Sequence, residues 1–158
     1  MSFVEAFYSF NLDITNADSG VSASLRLKTA RHPYESLHFL YARLLAFCHA
    51  YEPELRFSQG LFSPDEPTIW KRDVIGEIST WVEVGALDPK KLKSALRASD
   101  RAKLNTRFRC YFYEDEHVSH FCNELRGSKS NWIEPVSFFR LAPDALSRLC
   151  ETETSSAR

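Results

Sequence analysis

Glycine is scarce, with five in 158 residues, and none falls in a G-x-x-x-x-G-K-[ST] loop, a G-x-G-x-x-G turn or a G-x-S-x-G elbow. P-loop, dinucleotide-binding and serine-hydrolase chemistry therefore lack their signatures. The four cysteines, Cys48, Cys110, Cys122 and Cys150, include no C-x-x-C pair, which argues against a zinc ribbon and a disulfide framework. They read as free, buried thiols. No dense Cys/His cluster supports a redox or zinc enzyme, and no organic cofactor is expected.

Long apolar runs are also missing. Nothing approaches the roughly 18 residues needed to span a bilayer, and Met1-Ser2-Phe3-Val4-Glu5 has no basic-then-apolar leader pattern. A cytoplasmic protein without membrane attachment is the expectation. Excess charge is absent too. At a formal net charge of -1, any nucleic-acid surface has to be a local patch.

What is present fits one domain over 1–150 with a real core and a disordered tail over 151–158. Val4 to Ile14 and Val21 to Thr29 alternate apolar and polar residues around the turn Asn16-Ala17-Asp18-Ser19-Gly20, predicting an N-terminal hairpin. Phe7 breaks the pattern. Pro33 opens a helix through Leu37, Leu40, Tyr41, Leu44, Leu45, Cys48 and Tyr51. Its other side is apolar as well, so it is a core helix.

The bend Ser63-Pro64-Asp65-Glu66-Pro67 is flanked by short strands. Ile78 to Val84 alternates clearly and is closed by Gly85. Asp88 then caps, and Pro89 starts, a helix with inner stripe Leu92, Ala95, Leu96 and Ser99. The strand at 106–113 places Phe108, Cys110 and Phe112 opposite Arg107, Arg109, Tyr111 and Tyr113. A helix containing Val118, Phe121, Cys122 and Leu125, a strand over 136–141 and a helix over 143–150 complete an α/β (α+β) mixed sheet.

Chemistry concentrates between Asp65 and Lys93. Pro67 holds Glu66 in extended backbone, so two adjacent acids are fixed at the bend. Glu83 points inward with Trp81 and needs a cation or donors to offset its burial. Such acids suit Mg²⁺ or Mn²⁺, which bind through a few carboxylates, water and substrate phosphates. Lys93 is the first choice to orient the attacking water, and Lys91 the alternate.

Ala30-Arg31-His32-Pro33-Tyr34-Glu35, Arg43-Leu44-Leu45-Ala46-Phe47, Gly60-Leu61, Asp65-Glu66-Pro67 with Trp70, and Trp81-Val82-Glu83-Val84-Gly85 together resemble the YaeQ family. The resemblance runs from about Phe3 to Cys150 and implies a variant of the PD-(D/E)XK nuclease fold, with an α-β-β-β-α-β core. It also implies metal-binding roles for Glu35, Asp65, Glu66 and Glu83, with Glu83 in the (D/E)XK half-motif. Gly85 stands where that motif carries its lysine. Tyr34 replaces a small residue, and the sequence ends before an expected C-terminal strand pair, which would leave a sheet edge for a partner to cover.

Each assignment has a plainer reading. Glu35 suits a helix N-terminus by itself, and Asp65-Glu66-Pro67 is also a good solvated turn. Glu83 could pair with Arg43 or Lys93. Lys90, Lys91, Lys93 and Arg97 form either a phosphate-facing patch or the wet face of an amphipathic helix. Arg107 to Tyr113 offers cations and aromatics for stacking, or a face covered by a helix. His117 and His120 read as a surface pair. The sequence thus supports two functions: a Mg²⁺- or Mn²⁺-dependent nuclease, or a nuclease-like scaffold that only binds nucleic acid or a protein partner. Oligomeric state stays open.

Overall fold

A computed structural model describes residues 6–58, 66–127, 129 and 131–156. The chain begins with the antiparallel hairpin β1 (Ala6–Asn16) and β2 (Val21–Arg31), paired from Ala6↔Arg31 to Asn16↔Val21. Its inward row of Phe10, Leu12, Ile14, Leu25 and Leu27 packs on the core, and Phe7 stays 65% exposed, outside it. Next come α1 (Leu37–Ala50), β3 (Arg56–Phe57), β4 (Ile69–Arg72), β5 (Ile78–Val84), α2 (Pro89–Arg101), β6 (Arg107–Phe112), α3 (Asp115–Leu125), β7 (Val136–Arg140) and α4 (Pro143–Ser156).

The main sheet has the order β3-β4-β5-β6-β7. β3, β4 and β5 form an antiparallel meander, whereas β5, β6 and β7 are parallel. Parallel neighbours require crossovers, and α2 and α3 supply them. Because side chains alternate along each strand, Val82, Val84 and Tyr111 join α1, α4 and the hairpin in one apolar cluster. Trp81, Phe108, Cys110 and Phe112 join Leu92, Leu96 and Phe121 of α2 and α3 in another. The expected mixed sheet with helices on both faces is what forms.

Several local expectations change. α1 starts at Leu37, not Pro33, because Ser36 is the N-cap and its hydroxyl accepts the Phe39 N–H at 3.1 Å. The preceding residues form a turn in which Glu35 N–H reaches the His32 carbonyl. α4 does not end at Cys150. No glycine or proline follows to stop it, and it runs to Ser156, so residues 151–156, expected as tail, are helical. Cys122 is exposed rather than buried, and of the four cysteines only Cys110 is fully buried.

Three expectations hold closely. β5 spans Ile78–Val84, and Asp88 caps α2 by accepting the Lys90 N–H at 2.9 Å, with Pro89 at the helix start. Leu92, wholly buried on the inner stripe, would cost about 2–5 kcal/mol if truncated to alanine. No helix among the described residues is long and apolar enough to cross a membrane.

Candidate functional site

Glu83 projects from the end of β5 on the face that carries Trp81, under the start of α2. One carboxylate oxygen, Oε1, accepts the Thr68 N–H at 2.6 Å and the Thr68 hydroxyl at 3.2 Å. Thr68 is delivered by the meander, since Ile69 pairs with Val82. The other oxygen, Oε2, lies 3.4 Å from Lys91 Nζ. The same ammonium donates to the Glu66 carbonyl oxygen at 2.8 Å. A positive charge therefore sits between two oxygens contributed by separate segments.

Burial is the largest influence on Glu83 and pushes its carboxyl above the ordinary value near 4.5; Lys91 and the Thr68 hydrogen bonds pull it back without cancelling that rise. Across the parallel ladder its register partner is Cys110. Burial drives that thiol far above the usual cysteine range, and the Glu83 charge adds to the effect. Cys110 is thus a protonated, inert neighbour at neutral pH.

Lys91, rather than Lys93, is the lysine that meets Glu83. Helical residues advance about 100° each, so positions two apart point roughly 200° from one another. Lys93 lies on the opposite flank of α2, its Nζ 5.5 Å from the centre of the Trp132 ring. Arg43, the other proposed partner, is engaged elsewhere.

That engagement concerns Glu35. Its carboxylate accepts Arg43 Nε at 2.6 Å and Nη2 at 3.1 Å, and the His32 N–H at 3.0 Å. Arg43 also donates to the Thr29 hydroxyl and the Ala30 carbonyl, while its guanidinium covers Phe57. This buried pair ties β2 to α1 on the α1 side of the sheet, so Glu35 is not brought to Glu83. Asp65 lies outside the described residues. Glu66 contributes its main-chain carbonyl, and its carboxylate has no ion-pair partner among the described residues. Those residues hold no cluster of three or more His, Cys, Asp or Glu arranged for a metal.

Gly85 explains why β5 carries no lysine two residues past Glu83. Its φ is +94°, a conformation that L side chains rarely adopt. A Cβ there would meet Tyr113 at 3.2 Å and Phe39 at 3.5 Å. A side chain at this position would be driven into those rings, away from Glu83.

The basic helix divides in two. Lys90, Lys93, Ser94, Arg97 and Arg101 line a shallow, open depression of about 290 Å³ on the outer face of α2, whereas Lys91 turns toward Glu83. On β6, Tyr111 is buried, hydrogen-bonded to His49 Nδ1 at 2.8 Å and stacked on Phe139. The covered-face reading of that strand is correct at Tyr111. Its exposed end, Arg107, pairs with Glu52 at 2.6 Å. His120 is a surface histidine paired with Glu124, while His117 tucks against Tyr113, with ring centroids 4.8 Å apart.

Glu52 did not stand out in the sequence. It accepts from Thr80, Lys71 and Arg107 near the start of β5. Burial alone would raise its carboxyl, but the Thr80 and Lys71 hydrogen bonds and the Arg107 and Lys71 charges outweigh that and hold it low. The β4–β5 and β5–β6 registers bring Lys71, Thr80 and Arg107 together, and Glu52 reaches them from the segment between α1 and β3, so no local spacing could have revealed the group. Thr68 was hidden for the same reason.

A sequence profile described as YaeQ protein matches residues 1–157. The YaeQ protein of Escherichia coli K12 is 29% identical over 106 residues, covering 67% of this chain and 59% of its own length. That of Salmonella typhi is 32% identical over 103 residues, covering 65% and 57%. The chain thus spans less than two thirds of the curated relatives it matches. The crystal structure of YaeQ from Pseudomonas syringae superposes with a TM-score of 0.73 at 28% identity, over 92% of this chain and 76% of that one. The YaeQ structure from Xanthomonas axonopodis pv. citri gives 0.77 at 24%, over 92% and 78%.

Proposed function

The chain belongs to the YaeQ family, and on that premise we propose that it is a Mg²⁺- or Mn²⁺-dependent phosphodiesterase acting on nucleic acid, built on a PD-(D/E)XK-type scaffold. The observation that carries the reading is the pairing of Glu83 Oε2 and the Glu66 carbonyl oxygen around one cationic group, Lys91 Nζ. The ammonium stands in for a cation held by hard oxygen donors, the donor set that Mg²⁺ and Mn²⁺ prefer, with water completing their shell. The order α1-β3-β4-β5-α2-β6 agrees with the nuclease-type core. Free thiols at Cys48, Cys110 and Cys122 suit a reducing cytoplasm.

In this reading Glu83 and the Glu66 carbonyl would hold the metal, with the Asp65 and Glu66 carboxylates as its further ligands. When bound, the metal supplies Lewis-acid activation of the phosphodiester and of water. Thr68 fixes the Glu83 rotamer through two hydrogen bonds. Displaced from between the Glu83 and Glu66 oxygens, the Lys91 side chain can orient water or a phosphate oxygen. Lys90, Lys93 and Arg97 attract the phosphate backbone from the outer face of α2. Incubation with labelled single- and double-stranded DNA and RNA in Mg²⁺ or Mn²⁺ tests this. Cleavage that requires metal and disappears in Glu83→Gln is expected; no metal binding by calorimetry together with no cleavage sinks it.

Gly85 favours a second reading, in which the scaffold binds nucleic acid or a protein without turnover. It predicts that Glu83→Gln leaves function intact, while charge reversal at Lys91 and Lys93 weakens partner binding. Unchanged binding in that double variant counts against it.

A further inference from the structure

The indole of Trp70 is flanked by two guanidinium groups, those of Arg72 at 4.8 Å and Arg56 at 5.3 Å from the ring centre. Arg56 arrives from β3, where it is the register partner of Trp70. Arg72 comes from the far end of β4, beyond an irregularity between Lys71 and Arg72. Both arginines are exposed. Among the described residues neither has a carboxylate partner, and Arg72 donates only to the Gly76 carbonyl. Neither charge is neutralised by a carboxylate among the described residues.

The position of this cluster matters. Thr68 immediately precedes β4, two residues before Trp70, and the extended alternation puts the two on one face. The Thr68 end of that row bonds to Glu83. Trp70 therefore sits about 7 Å along the strand from the Glu83 contact, the length of roughly two stacked nucleotides at about 3.4 Å each. A guanidinium held over an indole is partly ordered before a ligand arrives. It presents a planar face to an unpaired base and N–H donors to phosphate oxygens. Bases in a duplex keep their faces stacked on one another, so a surface of this type suits a single strand.

We infer that the open face of β3 and β4 binds a single strand of nucleic acid, with bases on the Arg56–Trp70–Arg72 cluster and the backbone leading toward Glu83. The inference deepens the phosphodiesterase reading and rests on it for the class of ligand. The probe is a labelled oligothymidylate of about twenty nucleotides, compared by fluorescence anisotropy with a blunt duplex of equal length, in chelator so that nothing is cleaved. The single strand is expected to bind about tenfold tighter than the duplex. In the double variant Arg56→Gln/Arg72→Gln its affinity should fall about tenfold, and the slope of log affinity against log salt should shrink by roughly 1.4, or about 0.7 for each lost phosphate contact.

Thermal melting of the double variant checks that it folds, as expected for two exposed side chains. Unchanged affinity and salt slope in a folded double variant, a preference for duplex, or no binding of the oligonucleotide would each overturn the inference. Cleavage is scored separately. Arginine-dependent binding without cleavage in Mg²⁺ or Mn²⁺ keeps the strand path and removes the phosphodiesterase reading. Cleavage with arginine-independent binding does the reverse.

Discussion

Lys91 Nζ lies 3.4 Å from Glu83 Oε2, yet the contact is only part of how that carboxylate is held, because the two bonds from Thr68 occupy its other oxygen. The site thus has a fixed acid and a cation that remains about a quarter exposed. The acid is the harder group to replace, and the lysine the easier one to move.

Mutation should separate the lysines. Lys91→Met is expected to lower kcat/KM for an oligonucleotide about a hundredfold or more, whereas Lys93→Met, facing Trp132, should change it less than about threefold. Steady-state kinetics on the two variants decides the matter. Equal losses would mean that the helix acts only through bulk charge.

The elevated Glu83 carboxyl has a sign that can be checked. A buried acid with a raised value binds protons more readily folded than unfolded, so its ionisation opposes folding as pH rises above about 4.5. Wild-type stability relative to Glu83→Gln should therefore decrease from the acid side of that value up through the raised folded-state value. Melting both proteins in steps from about pH 4 to 8 tests it. A temperature difference that does not vary with pH would refute the proton coupling.

Breaking the buried Glu35–Arg43 pair, with side chains 0% and 6% exposed, should destabilise the protein by about 3–5 kcal/mol in Arg43→Met, because Glu35 is left charged without its partner. Urea unfolding gives the number. Glu35→Gln should leave calorimetric metal affinity at Glu83 unchanged, since the two acids belong to opposite faces of the sheet. A large loss of metal binding would return Glu35 to the ligand set.

Restoring the motif lysine should fail. Gly85→Lys places a Cβ against Tyr113 in a left-handed backbone, at a cost of about 2 kcal/mol or more. Its melting temperature should fall, and Lys91→Met/Gly85→Lys should be no more active than Lys91→Met. Recovery of cleavage in the double variant would show that the strand end can rearrange.

The sequence was most informative where period and capping agree. β5 alternates between two glycines and α2 starts with Asp88-Pro89, so both were placed closely. Reasoning failed where a side chain serves a distant partner. Pro33 looked like a helix start, but Ser36 had the free hydroxyl for the cap, and Glu35 was already claimed by Arg43. Lys93 looked well placed along the chain, while the helical angle favoured Lys91. That choice depended on where β4 lay relative to α2. Thr68 and Glu52 have roles only because the sheet register assembles their partners, and Cys122 looks buried because its periodic position lies near an apolar stripe that does not include it.

Every hydrogen bond named at the Glu83 centre spans fewer residues than the pairing of Thr80 on β5 with Arg107 on β6. Thr68 is 15 positions from Glu83, Lys91 is 8, and Glu66 is 25 from Lys91. Loop-closure entropy rises as about (3/2)RT ln n, and the shorter closures favour earlier formation during folding. The antiparallel half of the sheet and the first turn of α2 can therefore assemble the centre before β6 and β7 pair. Hydrogen exchange during refolding should show Thr68 protected ahead of Tyr111.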